Sequence, residues 1–224
     1  MVMNLSEADH ARVSAAIAAA EAKSNGEILA ISADRSDAYH DVGLHYAVLI
    51  LFLTLASVAV WPWLLDLGWT LLRGWSVPPT MRELLTLLLG LALLKFLVAL
   101  YIMKWMPLRL ALTPGATKTR RVRRRAVALF KAATERRTVG RTGVLIYLSE
   151  GEHRAEIVAD EAITAVTTPD TWGEAMAALI VEVKAGRPAD GIIAAIERVG
   201  TVLADHFPRS DDDQNEIPDK LIEL

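Results

Sequence analysis

Two long apolar runs in the middle of the chain constrain its fold more than any other feature. Leu44–Leu65 runs for 22 residues without a formal charge, and Leu84–Met103 runs for 20 with one, Lys95. At about 1.5 Å rise per residue, either helix reaches across a hydrocarbon core about 30 Å thick. Trp61, Trp63, Trp69, Trp75 and Trp105 sit at the ends of these runs or in the link between them. That is the depth where an indole keeps one edge wet and its body apolar. The alternative is a pair of buried core helices, but such helices keep a polar stripe, and neither run has one. The pattern predicts a transmembrane hairpin.

Lys95 is compatible with insertion. Ten leucines in its run contribute roughly −0.3 to −0.6 kcal/mol each, against about +3 kcal/mol for one central lysine. Counting residues from the ends of the two runs places Thr54 at a similar depth, where its hydroxyl could accept an ammonium proton. Thr54 and Ser57 also suit close helix packing. Two readings of Lys95 stand: it meets an acidic group on another membrane subunit, or it snorkels to the interface or stays neutral.

A hairpin of this size within 224 residues leaves enough chain for one soluble domain. The net charge of −3 does not itself imply a nucleic-acid partner, and the absence of cysteine excludes disulfides and thiolate chemistry. The N-terminal residues show no signal-peptide pattern. Arg73 and Arg82 are the basic residues of the link. Lys104, Arg109, Lys118, Arg120, Arg121, Arg123, Arg124 and Arg125 follow the second run, and Arg35 precedes the first. The positive-inside rule therefore predicts two spans in a bacterial inner membrane, with both termini and the soluble domain cytoplasmic.

The soluble segments read as elements of a small sheet and its helices. Ser6 and Asp9 resemble a capping box before a helix carrying Val13, Ile17 and Ala20, with Asn25-Gly26 as a left-handed stop. Glu27–Ala33 reads as a strand. After Thr113-Pro114-Gly115, a helix runs from about Thr117 to Arg137, with Val122, Ala126, Leu129, Phe130 and Ala133 on one face. Gly143–Ser149 reads as a central strand and His153–Ala159 as its hairpin partner across the Glu150-Gly151-Glu152 turn. A helix opens at Pro169 and ends at Gly186, and a last helix from about Ala189 stops at Pro208. The acid-rich remainder, with Asp211, Asp212 and Asp213, reads as a solvated tail.

This is an α+β pattern, a small sheet flanked by helices and interrupted by the hairpin. The first helix and strand have apolar faces that need the later segments to cover them. The expected parts are therefore 1–43 and 104–207 as one split domain, 44–103 as the hairpin, and 208–224 as an acidic tail.

Six of the eight residues from Lys118 to Arg125 are basic (Lys118, Arg120, Arg121, Arg123, Arg124, Arg125). Following a membrane span without a recognition motif, they point to lipid headgroups rather than nucleic acid. No phosphate-binding loop, zinc motif, nucleophile elbow or dinucleotide fingerprint occurs. Asp160 and Glu161 form the best local carboxylate pair. Oxygen ligands there suit Ca²⁺ or Mg²⁺, although two acids at a helix start also stabilise its dipole.

The order of elements resembles the TPM domain family, above all over Thr138–Ile163, the Trp172 helix and the final Gly191–Phe207 helix. The chain is most similar to a bacterial membrane branch often encoded beside LemA-type proteins. Many relatives carry Asp-Asn-Gly where this chain has Arg141-Thr142-Gly143, and Gly-x-Gly-x-Glu where it has Ala159-Asp160-Glu161. With a membrane hairpin for location and no visible nucleophile or multi-ligand metal cluster, the chain reads as a membrane-anchored, non-enzymatic binding, assembly or maintenance factor, partnered by the bilayer and another membrane protein. The alternative, which the resemblance implies, is a metal-dependent acid phosphatase with Asp160 and Glu161 at the cation.

Overall fold

The computed structural model describes residues 5–74, 78–134, 142–210 and 217–224. The chain divides into two compact units, one built from 1–37 with 115–224 and the other from 38–114.

In the first unit, α1 (Glu7–Glu21) starts at the expected box, in which Ser6 Oγ accepts from the Asp9 amide at 3.1 Å and Asp9 Oδ2 from the Ser6 amide at 3.2 Å. The strands are β1 (Glu27–Ala33), β2 (Gly143–Ser149), β3 (Arg154–Ala159) and β4 (Leu221–Glu223), in the order β3-β2-β1-β4. β1 pairs in parallel with β2, from Glu27 opposite Gly143 to Ala33 opposite Ser149, and β2 pairs antiparallel with β3. Parallel neighbours cannot be joined by a tight turn. The chain between them is long enough to contain the whole second unit and α6 (Gly115–Thr134).

Strand alternation divides the core. Ile28, Ala30, Val144, Ile146 and Leu148 face α1, α8 (Pro169–Lys184) and α9 (Pro188–His206), meeting Ile17, Leu179 and Ile196. Leu29, Ile31, Leu145 and Tyr147 face α6 and meet Val122, Ala126 and Phe130. β2 is buried at every position, as its unbroken apolar composition predicts. A short α7 (Glu161–Val166) follows β3. Gly186 ends α8 at φ +78°, where the amides of Gly186 and Arg187 return to the carbonyls of Val183 and Glu182.

Two local expectations are corrected. α1 stops at Ala22 in right-handed geometry, and Gly26 has no positive φ. Its glycine is explained by crowding: a Cβ there would lie 2.8 Å from Leu203 Cδ1. The end of the chain is also not a solvated tail. Ile217 and Leu221 are 4% and 5% exposed, and β4 pairs with β1 from Ala30–Leu221 to Ser32–Glu223. It covers an edge that would otherwise be open. Asp211–Asp213, Trp75, Arg137 and Arg141 lie outside the described residues.

The second unit contains α2 (His40–Val60), α3 (Trp63–Arg73), α4 (Met81–Ile102) and α5 (Met106–Leu112). α2 and α4, of 21 and 22 residues, are long and apolar enough to cross a membrane. They pack through small buried residues, Ala47 and Thr54 on α2 and Ala92 and Ala99 on α4. Their outer faces stay open, with Phe52 62% and Leu94 59% exposed. The first apolar run is not one helix to Leu65. Trp61 leaves helical geometry before Pro62, a residue without an amide donor that also disfavours the α region in its predecessor. The chain then restarts as α3. Arg109, one of the basic residues in the topology count, is buried: its Nε donates to Met103 O at 2.7 Å and its Nη1 to Ala38 O at 2.6 Å.

Candidate functional site

The richest polar constellation lies at the carboxyl ends of β1 and β2, where ligands of parallel α/β sheets tend to bind. Parallel register brings Ser32 and Ala33 beside Leu148 and Ser149. The turn into β3 then supplies Glu150 and Glu152, both buried. Ser32 Oγ donates to Glu150 Oε1 at 3.1 Å, and the Ser36 amide donates to Glu152 Oε1 at 2.9 Å. Ser149 Oγ donates to Glu152 Oε2. Ser36 Oγ lies 3.0 Å from both Tyr147 OH and Ser149 Oγ. Burial pushes the Tyr147 phenol up; the Ser36 bond opposes this and the Glu152 charge adds to it.

Each carboxylate accepts a hydroxyl proton, so the arrangement works as a clasp. It fixes Ser36 to the β2–β3 turn just before the chain leaves the sheet domain. Asp37, the last residue of that segment, lies 3.2 Å from Arg121 Nη1 and 3.3 Å from Arg124 Nη2 on α6. The departing segment is thereby tied to the first helix of the returning one.

The amino ends of the same strands carry a second acidic group. Glu21 Oε1 accepts from the Ile28 amide at 2.7 Å, and Glu27 Oε2 from the Ile217 amide at 3.1 Å. Glu21 Oε2 is buried with no hydrogen-bond partner among the described residues. Burial pushes the Glu21 carboxyl up to about 9, against the opposing Ile28 amide, with Glu27 and Asp219 adding negative charge nearby. Glu21 is therefore a neutral acid at physiological pH.

The residues singled out from sequence are placed as follows. Asp160 is the residue preceding α7, but its side chain does not cap that helix. Asp160 Oδ2 instead accepts from the Gly143 amide at 3.1 Å, while its own amide donates to Gly143 O, closing the β2–β3 ladder. Glu161 is exposed. Among the described residues, no three His, Cys, Asp or Glu side chains converge to hold a cation.

Thr54 turns its hydroxyl to Ile50 O at 2.8 Å within α2. Lys95 is exposed, so the anticipated Thr54–Lys95 hydrogen bond is not formed. Of the basic residues on α6, Arg120, Arg123, Arg124 and Arg125 are exposed and Lys118 is half-buried. Arg121 is half-buried in its pair with Asp37.

Sequence reasoning missed the clasp because its members lie on two segments more than 110 residues apart, 32–36 and 147–152. A detectable signal was the Ser-Glu-Gly-Glu sequence at 149–152: two acids in a turn straight after a fully apolar strand. Nothing local marks Glu21, which reads as an ordinary residue at a helix end.

Comparison with known proteins gives a consistent result. The TPM domain family matches residues 109–202. The NMR structure of the BA42 protein from the psychrophilic bacterium Bizionia argentinensis is similar at a TM-score of 0.57 and 17% identity, covering 100% of this chain and 98% of that one. That likeness shows the fold. No curated protein matches the chain.

Proposed function

For a chain whose residues 109–202 match the TPM domain family, we propose the role of a membrane-anchored, non-enzymatic factor that binds, assembles or maintains a membrane protein complex. In this reading α2 and α4 cross a bacterial inner membrane. The basic surface of α6 and both termini lie on the cytoplasmic side, where anionic headgroups attract each arginine by about 1 kcal/mol.

Lys95 is the observation that carries the proposal. It is exposed in the interior of α4, with no hydrogen bond or ion pair among the described residues. An ammonium in a span is costly and calls for a partner. The partner that fits is a carboxylate on the span of another membrane protein.

The test is recovery of partners from mild-detergent membranes with the full chain and its Lys95→Leu variant. The substitution should leave insertion intact and deplete at least one partner about tenfold. Unchanged recovery of every partner would make Lys95 a tolerated passenger and sink the proposal.

A second reading, a metal-dependent acid phosphatase using Ca²⁺ or Mg²⁺ at Asp160 and Glu161, draws on their position inside the family-matched stretch. The engagement of Asp160 with the Gly143 amide favours the binding role.

A further inference from the structure

The break at Trp61-Pro62 creates a helix that neither the anchoring role nor the sheet domain uses. α3 has two faces. One carries Trp69, buried beside α4, with the Arg73 guanidinium carbon 5.6 Å from its ring centroid. Gly68 belongs to this face, since a Cβ there would sit 3.6 Å from Leu87 Cδ2. The other carries Trp63, Leu67 and Leu71, which are 57%, 45% and 79% exposed. At intervals of four they form one continuous apolar stripe. Asp66, Thr70 and Arg73 fall on a polar stripe beside it, and Thr70 Oγ1 donates to Asp66 O at 2.7 Å.

We propose that α3 is an interfacial membrane helix whose Trp63–Leu67–Leu71 stripe lies in the headgroup–acyl boundary of the leaflet at the closed end of the hairpin. The inference rests on the membrane reading of α2 and α4 and adds a third lipid contact of a different kind.

Depth is the first argument. Leu87 lies six residues into α4, about 9 Å along its axis. A helix touching Leu87 is folded back alongside the span rather than projecting past its end. Amphipathic helices in the interface bury their apolar face about 5–10 Å into that same zone. Continuity is the second. α3 follows α2 across only Trp61 and Pro62, with the exposed indoles of Trp61 and Trp63 at the junction, where tryptophan is favoured. Charge is the third. Asp66 and Arg73 present one charge of each sign, which suits a headgroup layer and not the hydrocarbon.

The chain contains no cysteine, so single cysteines can be introduced cleanly. Leu67→Cys and Leu71→Cys alter exposed positions, and Asp66→Cys and Thr70→Cys report the polar stripe. Phe52→Cys and Leu94→Cys report the spans. Each full-length variant carries a nitroxide in vesicles of phosphatidylcholine with a minority of phosphatidylglycerol, and collisional access to oxygen and to a water-soluble nickel chelate is measured. The oxygen-to-nickel ratio at 67 and 71 should exceed that at 66 and 70 several-fold.

Equal ratios on the two stripes, with 52 and 94 still rich in oxygen, would overturn the interfacial helix and leave the spans standing. Exclusion of both reagents from 67 and 71 would mean that protein covers the stripe, and would also overturn it. Nickel access at 52 and 94 would remove the membrane reading itself.

Discussion

The two ends of the β1–β2 ladder bury the same residue type and treat it differently. At the carboxyl end, Glu150 and Glu152 face hydroxyls and an amide from Ser32, Ser36 and Ser149. At the amino end, Glu21 accepts from the Ile28 amide and lies near the charges of Glu27 and Asp219, and Glu27 accepts from the Ile217 amide. A buried carboxylate is tolerated when donors replace its lost water. With few donors and like charges nearby, the carboxyl keeps its proton, as Glu21 does. The difference lies in the donors: hydroxyls and an amide meet the carboxyl-end pair, while burial and nearby negative charge dominate at Glu21.

The largest effect should appear at Glu21. Its carboxyl is held near 9 in the folded chain against an ordinary 4.5. Below about 4.5 both folded and unfolded chains hold the proton, and its stabilising contribution is complete. As pH rises toward 9 the unfolded chain ionises first, so stability falls across that whole window. At about 1.4 kcal/mol per pKa unit, discounted by about half for water penetration, the loss is about 3 kcal/mol. Denaturant titrations at a series of pH values should show this slope, and Glu21→Gln should flatten it. A slope unchanged by that substitution would erase the contrast between the two ends.

Breaking the clasp comes next. Glu152→Ala leaves the Ser36 amide and the Ser149 hydroxyl without their acceptor, which should cost about 2 kcal/mol. Glu152→Gln should recover part of that, since its amide oxygen still accepts. Midpoints within experimental scatter of the unmodified chain for both variants would show that the clasp carries no stability.

The smallest effect belongs to the pair picked out from sequence. Asp160→Ala removes one acceptor from Gly143 and should cost about 1 kcal/mol, and Glu161→Gln should be nearly neutral. Replacing both, by Asn and Gln, should leave partner recovery intact, and the unmodified chain should hydrolyse no phosphomonoester above a detergent blank. Turnover lost both with chelator and with the double substitution would promote the phosphatase reading over the binding one.

Legibility in the sequence followed the range of the interaction. β1, β2 and the apolar face of α6 were readable because each is written in consecutive or periodically spaced residues: Glu27–Ala33, Gly143–Ser149, and Val122 with Ala126 and Phe130. β4 was not readable. Three residues in an acid-rich stretch gain strand geometry only from the β1 edge they meet. α3 was hidden because it straddles the end of the apolar run at Leu65 and the link beyond it; Pro62 and the spacing of Asp66, Thr70 and Arg73 were the available signs. Asp160 and Glu161 stood out as neighbours in sequence, while Glu150 and Glu152 stood out only once Ser32 and Ser36 were brought beside them.

The sequence by itself determined the α+β class, the interruption by two membrane-length helices, and most element boundaries. These follow from local propensity, from helix and strand periodicity and from the absence of charge, all properties of short windows. Only the tertiary structure decided which carboxylates are neutral, which arginines are spent on carbonyls and carboxylates, and where the chain's last residues go. Those outcomes depend on desolvation and on partners from distant segments. The Glu21 side chain is an ordinary acid until burial strips its water and Glu27 and Asp219 add negative charge beside it, and no short window of sequence contains that environment.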